Sequence, residues 1–480
     1  MYIKQKERVF IRNIGDICYF QNRAHNTDIM FGGAAKEFAK FLSKYPKDEE
    51  IILNEVCRVF NNTDRGVLEK DLNEFFTTLE DCGFVVRDEN AEDCNKKDVF
   101  DYSEFDSDRI TFVNNKKKYS ENETSIEMQK YLMEHPTIMS FQFEITKKCN
   151  ERCHHCYVPR KDIGAEMDIN IFEKTIKELD EIGTIGVILS GGEPMCHHQF
   201  IEFLRILQKY DFAVSILSNL TQLNDEIFEE FKRFRQISIQ TSLYSMDPSI
   251  HDAVTKLPGS QEKTKAAIEK LVANNIIVQV SSPAIKINKD SFPAVIDWCE
   301  NKMKIRAHTD YAIFAEADGN TNNLDVRLSL DECRTFINNL IEHDKNYQEM
   351  LKSQDTTKAI EFNRDPESIL CGIGIDSAAM SVNGDVLPCS GFESMVCGNV
   401  QQRTLKDIWD NSSKMKMIRK LRYKDYPQCL SCENRAYCSL CLKRMEGESG
   451  DIHTLTKHFC DVAGINREVA EEWRKKLNER

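Results

Sequence analysis

Three cysteines crowd into residues 149–156, Cys149-Asn-Glu-Arg-Cys153-His-His-Cys156, just after a short alternating run with Phe141, Phe143 and Ile145 on one face. Three thiolates on one tight loop can hold three irons of a 4Fe–4S cubane and leave the fourth iron open to a small ligand. The loop could instead hold zinc, with His154 or His155 as fourth ligand, since zinc also takes Cys and His. A third reading is that these are packed thiols. Further on, Ile185-Gly-Val-Ile-Leu-Ser-Gly191-Gly192-Glu193-Pro194 reads as a buried strand ending in a Gly-Gly turn with one carboxylate. Glycines at a strand's end allow close backbone approach to a ligand, and Glu193 can pair with an ammonium. Alone, such a turn is ordinary.

Together, CxxxCxxC followed at this distance by GGEP resembles the radical S-adenosylmethionine (SAM) superfamily. The resemblance implies that Cys149, Cys153 and Cys156 hold a 4Fe–4S cluster and that SAM's amino acid end chelates its open iron. It also implies that Gly191, Gly192, Glu193 and Pro194 hold SAM's amino group, and zinc becomes the minor alternative. Ser218-Asn219 stands where relatives often carry Thr-Asn-Gly, although Leu220 replaces the glycine. Gln240-Thr-Ser242 stands where the family commonly contacts the SAM ribose. Ser218, Gln240 and Ser242 are therefore candidate SAM contacts, and plain turn chemistry is the competing account of each.

Residues 371–460 hold eight of the 18 cysteines. Ala378–Cys389 carries an Asn383-Gly384 turn between apolar alternations, a hairpin signal. Cys429-x2-Cys432-x5-Cys438-x2-Cys441 then suits zinc or iron–sulfur equally by spacing. With Cys371, Cys389 and Cys460, the pattern resembles the SPASM domain, which carries two auxiliary 4Fe–4S clusters. The resemblance implies a near cluster on Cys371, Cys389 and Cys441, and an outer one on Cys429, Cys432, Cys438 and Cys460. The last quartet gap is two residues where many relatives have three. Cys397 is a candidate fourth ligand of the near cluster; otherwise that iron stands open to a substrate thiolate. The expected complement is three 4Fe–4S clusters and SAM. The other seven cysteines read as small buried hydrophobes.

The elements that must position these residues alternate. Strands are expected at 138–146, 185–190, 212–217, 237–242, 276–281 and 306–314. Helices are expected at 170–182, 197–209, 224–234, 262–274, 291–302 and 330–343, and Asn170-x-x-Glu173 and Ser329-x-x-Glu332 have capping-box spacing. Alternating β and α units imply an α/β fold with a parallel sheet and ligands at its C-terminal rim. Both motifs fall on that rim, as in the partial (β/α)6 barrel of radical SAM enzymes. The expected domains are an N-terminal winged-helix-like α+β unit at 1–85, a linker at 86–136, the barrel at 137–345 and the cysteine-rich SPASM domain at 346–480.

In the first unit, strands at Arg8–Asn13, Asp16–Phe20 and Asp28–Phe31 precede helices at Ala34–Ser43, Glu50–Phe60 and Gly66–Asp81. The last helix carries Glu69, Asp71, Glu74, Glu80 and Asp81 against Lys70, so it would repel a phosphate backbone. A net charge of −14 also argues against nucleic acid. The unit resembles the leader-recognition domain of enzymes that modify ribosomally made peptides, which implies that a leader adds a strand along Asp28–Phe31. The linker includes the acidic run 101–108. No apolar stretch approaches the about 20 residues of a membrane span, and the amino terminus lacks a signal peptide's apolar run. The expected location is cytoplasmic, where 18 cysteines argue for metal rather than disulfides.

The function expected from the resemblance is radical crosslinking of a precursor peptide bearing a leader, with a flavodoxin- or ferredoxin-like electron donor. A cysteine-to-carbon thioether is favoured over a lysine–tryptophan type carbon–carbon link, and over sulfatase-type oxidation of a cysteine or serine. A leader-binding adaptor or plain electron carrier would need neither an open iron nor an amine-binding carboxylate. The sequence names no catalytic side chain.

Overall fold

The computed structural model describes residues 1–23, 27–98, 121–159, 161–234, 236–353, 365–438 and 440–479. The acidic run 101–108 lies outside them. The amino-terminal unit holds two three-stranded sheets. Strands β1 (Tyr2–Gln5), β2 (Val9–Ile14), β3 (Ile17–Asn22), β4 (Thr27–Phe31), β5 (Lys47–Asp48) and β6 (Val85–Asp88) assemble as antiparallel β2-β3-β4 and as β5-β1-β6. Helices Gly33–Ala39, Glu49–Val59 and Arg65–Asp81 pack against them through Phe38, Val56, Leu72, Phe75 and Phe76. Asp48 and Asp64 cap the second and third helices by accepting backbone N–H bonds.

Two features differ from the sequence expectation. β1 is unforeseen because Tyr2-Ile-Lys-Gln5 shows no clean alternation, yet Lys4 is buried and its ammonium bonds Asp98 at 2.8 Å. Residues 86–98 are likewise no linker: β6 and the helix Ala91–Lys96 complete this unit. The unit is seated on the barrel's N-terminal end by Lys44–Asp211 (2.5 Å) and by Arg12 Nε donating to the Thr184 carbonyl (3.1 Å). Tyr131, on the helix Glu121–Glu134, closes the joint by bonding the Ile14 carbonyl at 3.0 Å.

Six parallel strands follow in chain order: β7 (Ser140–Thr146), β8 (Gly186–Gly191), β9 (Ala213–Leu217), β10 (Ile237–Ser242), β11 (Ile277–Ser281) and β12 (Arg306–His308). This is the expected parallel α/β architecture, and the sixth strand is shorter than its apolar run suggested. The sheet continues past β7 into β13 (Ser377–Met380), parallel to it, then β14 (Asp385–Leu387) and β15 (Gly398–Asn399), both antiparallel. The cysteine-rich domain thus extends the barrel sheet rather than hanging from it. Gly384 takes the left-handed turn between β13 and β14 (φ +82°).

Helices Ile169–Ile182, Phe200–Leu207, Asp225–Lys232, Ser260–Val272 and Leu330–His343 cover the outer face. Ser329 and Glu332 form the expected capping box, whereas Asp168, not Asn170, caps the first of these helices. A further helix, Pro248–Thr255, was not expected. Along β7, Phe141, Phe143 and Ile145 are wholly buried beneath Phe172 and Phe203, and the rings of Phe143 and Phe172 lie 4.8 Å apart. Phe143→Ala should cost about 3–5 kcal/mol, read as a lower denaturation midpoint; a loss below about 1 kcal/mol would mean that β7 is not the core strand described.

Candidate functional site

The cysteine loop leaves β7 and the Gly-Gly turn leaves β8, its neighbour, so the two run side by side on the rim. Gly192 N–H donates to the Thr146 carbonyl (2.7 Å) and Glu193 N–H to that of Lys148 (2.8 Å). A Cβ on Gly191 would stand 2.2 Å from the Thr146 oxygen, and one on Gly192 2.3 Å from the Lys148 oxygen. These glycines therefore admit the backbone of the cysteine loop. The sequence reading had assigned their freedom to close approach of a ligand; the close approach seen is to the chain itself.

Glu193 is enclosed and accepts three bonds, from Met195 N–H (3.0 Å), Ser218 Oγ (2.8 Å) and Asn219 N–H (2.7 Å). Burial pushes its carboxyl up to about 7 against the pull of those donors. Ser218 thus anchors Glu193 and has a protein partner where a SAM contact was expected. Asn219 Nδ2 donates to Asn150 Oδ1 (3.0 Å), and Asn150 in turn donates to Thr221 Oγ1 (2.6 Å). Asn150 and Thr221 escaped the sequence reading, and Asn219 entered it only through the Ser218-Asn219 pair, although amides flanking a ligand loop are natural fasteners. Leu220 has φ +63°, so the position where relatives carry glycine does demand the left-handed conformation, at a cost of about 1–2 kcal/mol. Gln240 and Ser242 share the half-buried face of β10 with Ser238, opposite Ile237 and Ile239.

The far side of the cysteine loop is strapped to the unexpected helix, where Arg152 N–H donates to Thr255 O (2.8 Å) and His154 N–H to Val254 O (3.3 Å). Asn323 Nδ2 holds its end through the Cys156 and Phe314 carbonyls, at 3.2 and 2.8 Å. Burial pushes the Cys149 thiol up to about 12 and raises Cys153 well above the ordinary thiol range, so three thiolates here need a cationic group to offset their desolvation. His155 Nε2 shares a 3.3 Å hydrogen bond with the Tyr244 hydroxyl, so that nitrogen is already used within the protein.

Among the described residues, one group could close on a single ion within 4.8 Å, namely Glu166, His197 and His198. Both ring nitrogens of His197 are already used there, by the Met167 carbonyl and Gln199 N–H. None of the 18 cysteines is in a disulfide. Among the described residues no set of thiols closes on one ion, which suits a cluster of several irons better than one zinc, so the donor set fits the implied groups.

The carboxy-terminal thiols separate into two electrostatic neighbourhoods. Cys371 feels Cys441 and Cys389, whereas Cys429 feels Cys438, Cys460 and Cys432. Cys397 belongs to neither: it is buried in the barrel core, its N–H bonds Val386 O (2.8 Å), and its charged neighbours are Lys414 and Arg419. The suggestion that it completes the near set is corrected on that ground.

Family models agree with this geometry. Residues 143–299 match the radical SAM superfamily, and residues 371–433 match the SPASM iron–sulfur cluster-binding domain. The chain therefore carries a radical SAM domain and a SPASM domain, and binds iron–sulfur clusters and SAM. An AdoMet-dependent heme synthase of Methanosarcina barkeri is 24% identical, over 64% of this chain and 92% of its own length. The antilisterial bacteriocin subtilosin biosynthesis protein AlbA of Bacillus subtilis is also 24% identical, over 64% of this chain and 68% of its own.

Among solved structures, SuiB of Streptococcus suis bound to S-adenosylmethionine matches with TM-score 0.62 and 14% identity, covering 95% of this chain and 99% of that one. SuiB bound to its precursor peptide SuiA matches with TM-score 0.61. These likenesses show the fold. No described helix is long and apolar enough to cross a membrane. Gly192→Ala should displace the cysteine loop and cut reconstituted iron from about twelve to about eight atoms per chain; full iron content would show that the close approach is dispensable.

Proposed function

We propose that this chain is a radical SAM maturase that crosslinks a ribosomally made precursor peptide, most readily by a thioether from cysteine to carbon. The observation that carries this reading is the conjunction of a complete SAM-type rim with a separate amino-terminal α+β unit seated on the barrel. The whole-chain likeness to SuiB, crystallised with its precursor peptide, and the relation to AlbA support it. In that unit β4 pairs with β3 alone among the described residues, and the helix Glu121–Glu134 lies against it, so a leader that adds a strand there would share that edge with the helix. Phe31 at its end meets Phe75 of the acidic helix at 5.3 Å between ring centres.

Cys149, Cys153 and Cys156 would hold the SAM-binding cluster, Cys371, Cys389 and Cys441 the near auxiliary cluster, and Cys429, Cys432, Cys438 and Cys460 the outer one. Bound together and reduced by a flavodoxin- or ferredoxin-like donor, the first cluster and SAM supply a 5′-deoxyadenosyl radical that takes hydrogen from an unactivated carbon. The protein's part is placement. Asn150, Asn219 and Thr221 fix the cysteine loop against β9, and the donors around Glu193 hold its carboxylate at the rim to meet SAM's ammonium. Gln240 and Ser242 would meet the ribose. The leader site raises the local concentration of a mobile core peptide. A heme-synthase-like activity is the second reading, favoured by the relative from Methanosarcina barkeri; it gives the amino-terminal unit no task.

Cys153→Ala should abolish 5′-deoxyadenosine formation, and undiminished turnover would exclude the site. Removing residues 1–98 should lower peptide modification at least tenfold while SAM cleavage continues; equal peptide turnover would exclude leader capture. A precursor whose cysteines are all changed to serine should lose its crosslink, whereas a link that persists on lysine and tryptophan would replace the thioether.

SAM's ammonium needs the ionised carboxylate. With Glu193 at about 7 in the free protein, each pH unit below that should weaken SAM binding by up to tenfold. Glu193→Gln should flatten that dependence, measured by equilibrium binding; an unchanged slope would separate Glu193 from the ammonium.

A further inference from the structure

Lys443 lies between the two cysteine-bearing domains. It follows Cys441 by two residues at the start of the helix Leu442–Ser449, and its ammonium stands 4.0 Å from the ring centre of Tyr157, the residue after Cys156. Phe314 flanks it at 5.5 Å. The space it occupies is made by glycine: a Cβ on Gly391 would stand 2.4 Å from the Lys443 nitrogen and 2.9 Å from the Tyr157 ring. Lys443 is half-buried; desolvation pulls its pKa down, against the attraction of Cys389, Glu144, Cys441 and Glu393.

Neither nearby carboxylate forms an ion pair with it. Glu144 is spent on Ser390 Oγ (2.6 Å) and Gly391 N–H (3.0 Å), and Glu393 pairs with Lys147 at 3.2 Å. Among the described residues no acid forms an ion pair with Lys443. A half-buried cation without an ion-pair partner, held on aromatic faces beside two thiolate ligands, is an arrangement that acts on a cluster's charge.

We propose that Lys443 is a positioning residue whose ammonium stabilises the reduced form of the cluster on Cys371, Cys389 and Cys441, raising its potential and making it the better electron acceptor. Net charge and burial around a cluster set its potential, and reduction adds one negative charge next to this cation. The inference rests on the proposed near-cluster assignment and adds a reason for this cluster to take the electron released when a crosslink closes. The substrate radical is then oxidised by one electron with loss of one proton as the new bond forms, and the near cluster is reduced by one electron.

The test uses full-length protein, reconstituted anaerobically and titrated potentiometrically with EPR detection. Lys443→Gln should shift one auxiliary midpoint to more negative potential by at least tenfold in the reduction equilibrium, about 59 mV for one electron. Lys443→Arg should restore it, and the SAM-binding cluster should keep its midpoint in both. Unchanged auxiliary midpoints in Lys443→Gln would overturn the proposal. So would loss of about four irons in Lys443→Gln but not in Lys443→Arg, which would make the cation a structural support. A wild-type protein holding only about four irons would instead sink the auxiliary-cluster assignment, a separate failure.

Discussion

The site depends on two neighbouring backbone segments lying closer than any side chain would permit. Gly191 and Gly192 let the end of β8 press onto residues 146–148, and two N–H groups there bond carbonyls of the segment that opens the cysteine loop. Thiol placement is thereby tied to the sheet rather than left to a free loop. The same turn carries Glu193, so one contact sets both where the cluster sits and where its carboxylate points. Neighbouring parallel strands make this possible, because their C-terminal ends emerge together on one rim.

Charge balance is the second theme. The rim buries Glu193 and Glu151 and half-buries Cys149 and Cys153, and desolvation pushes Glu151 as well as Glu193 up to about 7. An anionic set of this kind is expensive in the free protein and is relieved when cationic groups bind. The metal cluster and SAM's ammonium are such groups. The amino acids alone therefore hold the site in a shape whose electrostatics are complete only when loaded. Toward the SPASM side the balance reverses, and Lys443, Arg444 and Arg435 stand among the thiols.

Much of this was legible in the sequence, for physical reasons that can be named. The cysteine spacing and the GGEP turn are local, and the strand periodicity placed both on one rim, so the pairing of β7 with β8 followed. The Asn383-Gly384 turn announced the β13–β14 hairpin because its left-handed residue admits few alternatives. Tertiary contacts were not legible. Cys397 lies in the same sequence neighbourhood as the ligands, but its side chain falls on the face of the hairpin that packs into the barrel core. Helix Pro248–Thr255 is too short to show a clear period, though it straps the cysteine loop. β1 and β6 are weak alone and pair only with each other and β5, which is why residues 86–98 read as linker. Ser218 shows the limit of motif transfer: its type fits a ligand contact, while its hydroxyl is taken by Glu193.

The central claim is that the thiols of Cys149, Cys153 and Cys156 carry a cluster with one coordination position left for SAM's amino acid end. The most direct measurement is electron–nuclear double resonance on the reduced, anaerobically reconstituted protein, with SAM labelled by 15N at its amino group and 17O at its carboxylate. The account predicts hyperfine coupling from both labels, lost when Cys153 is replaced by alanine. A reduced cluster signal that shows no coupling to either label, at SAM concentrations that saturate binding, would contradict it.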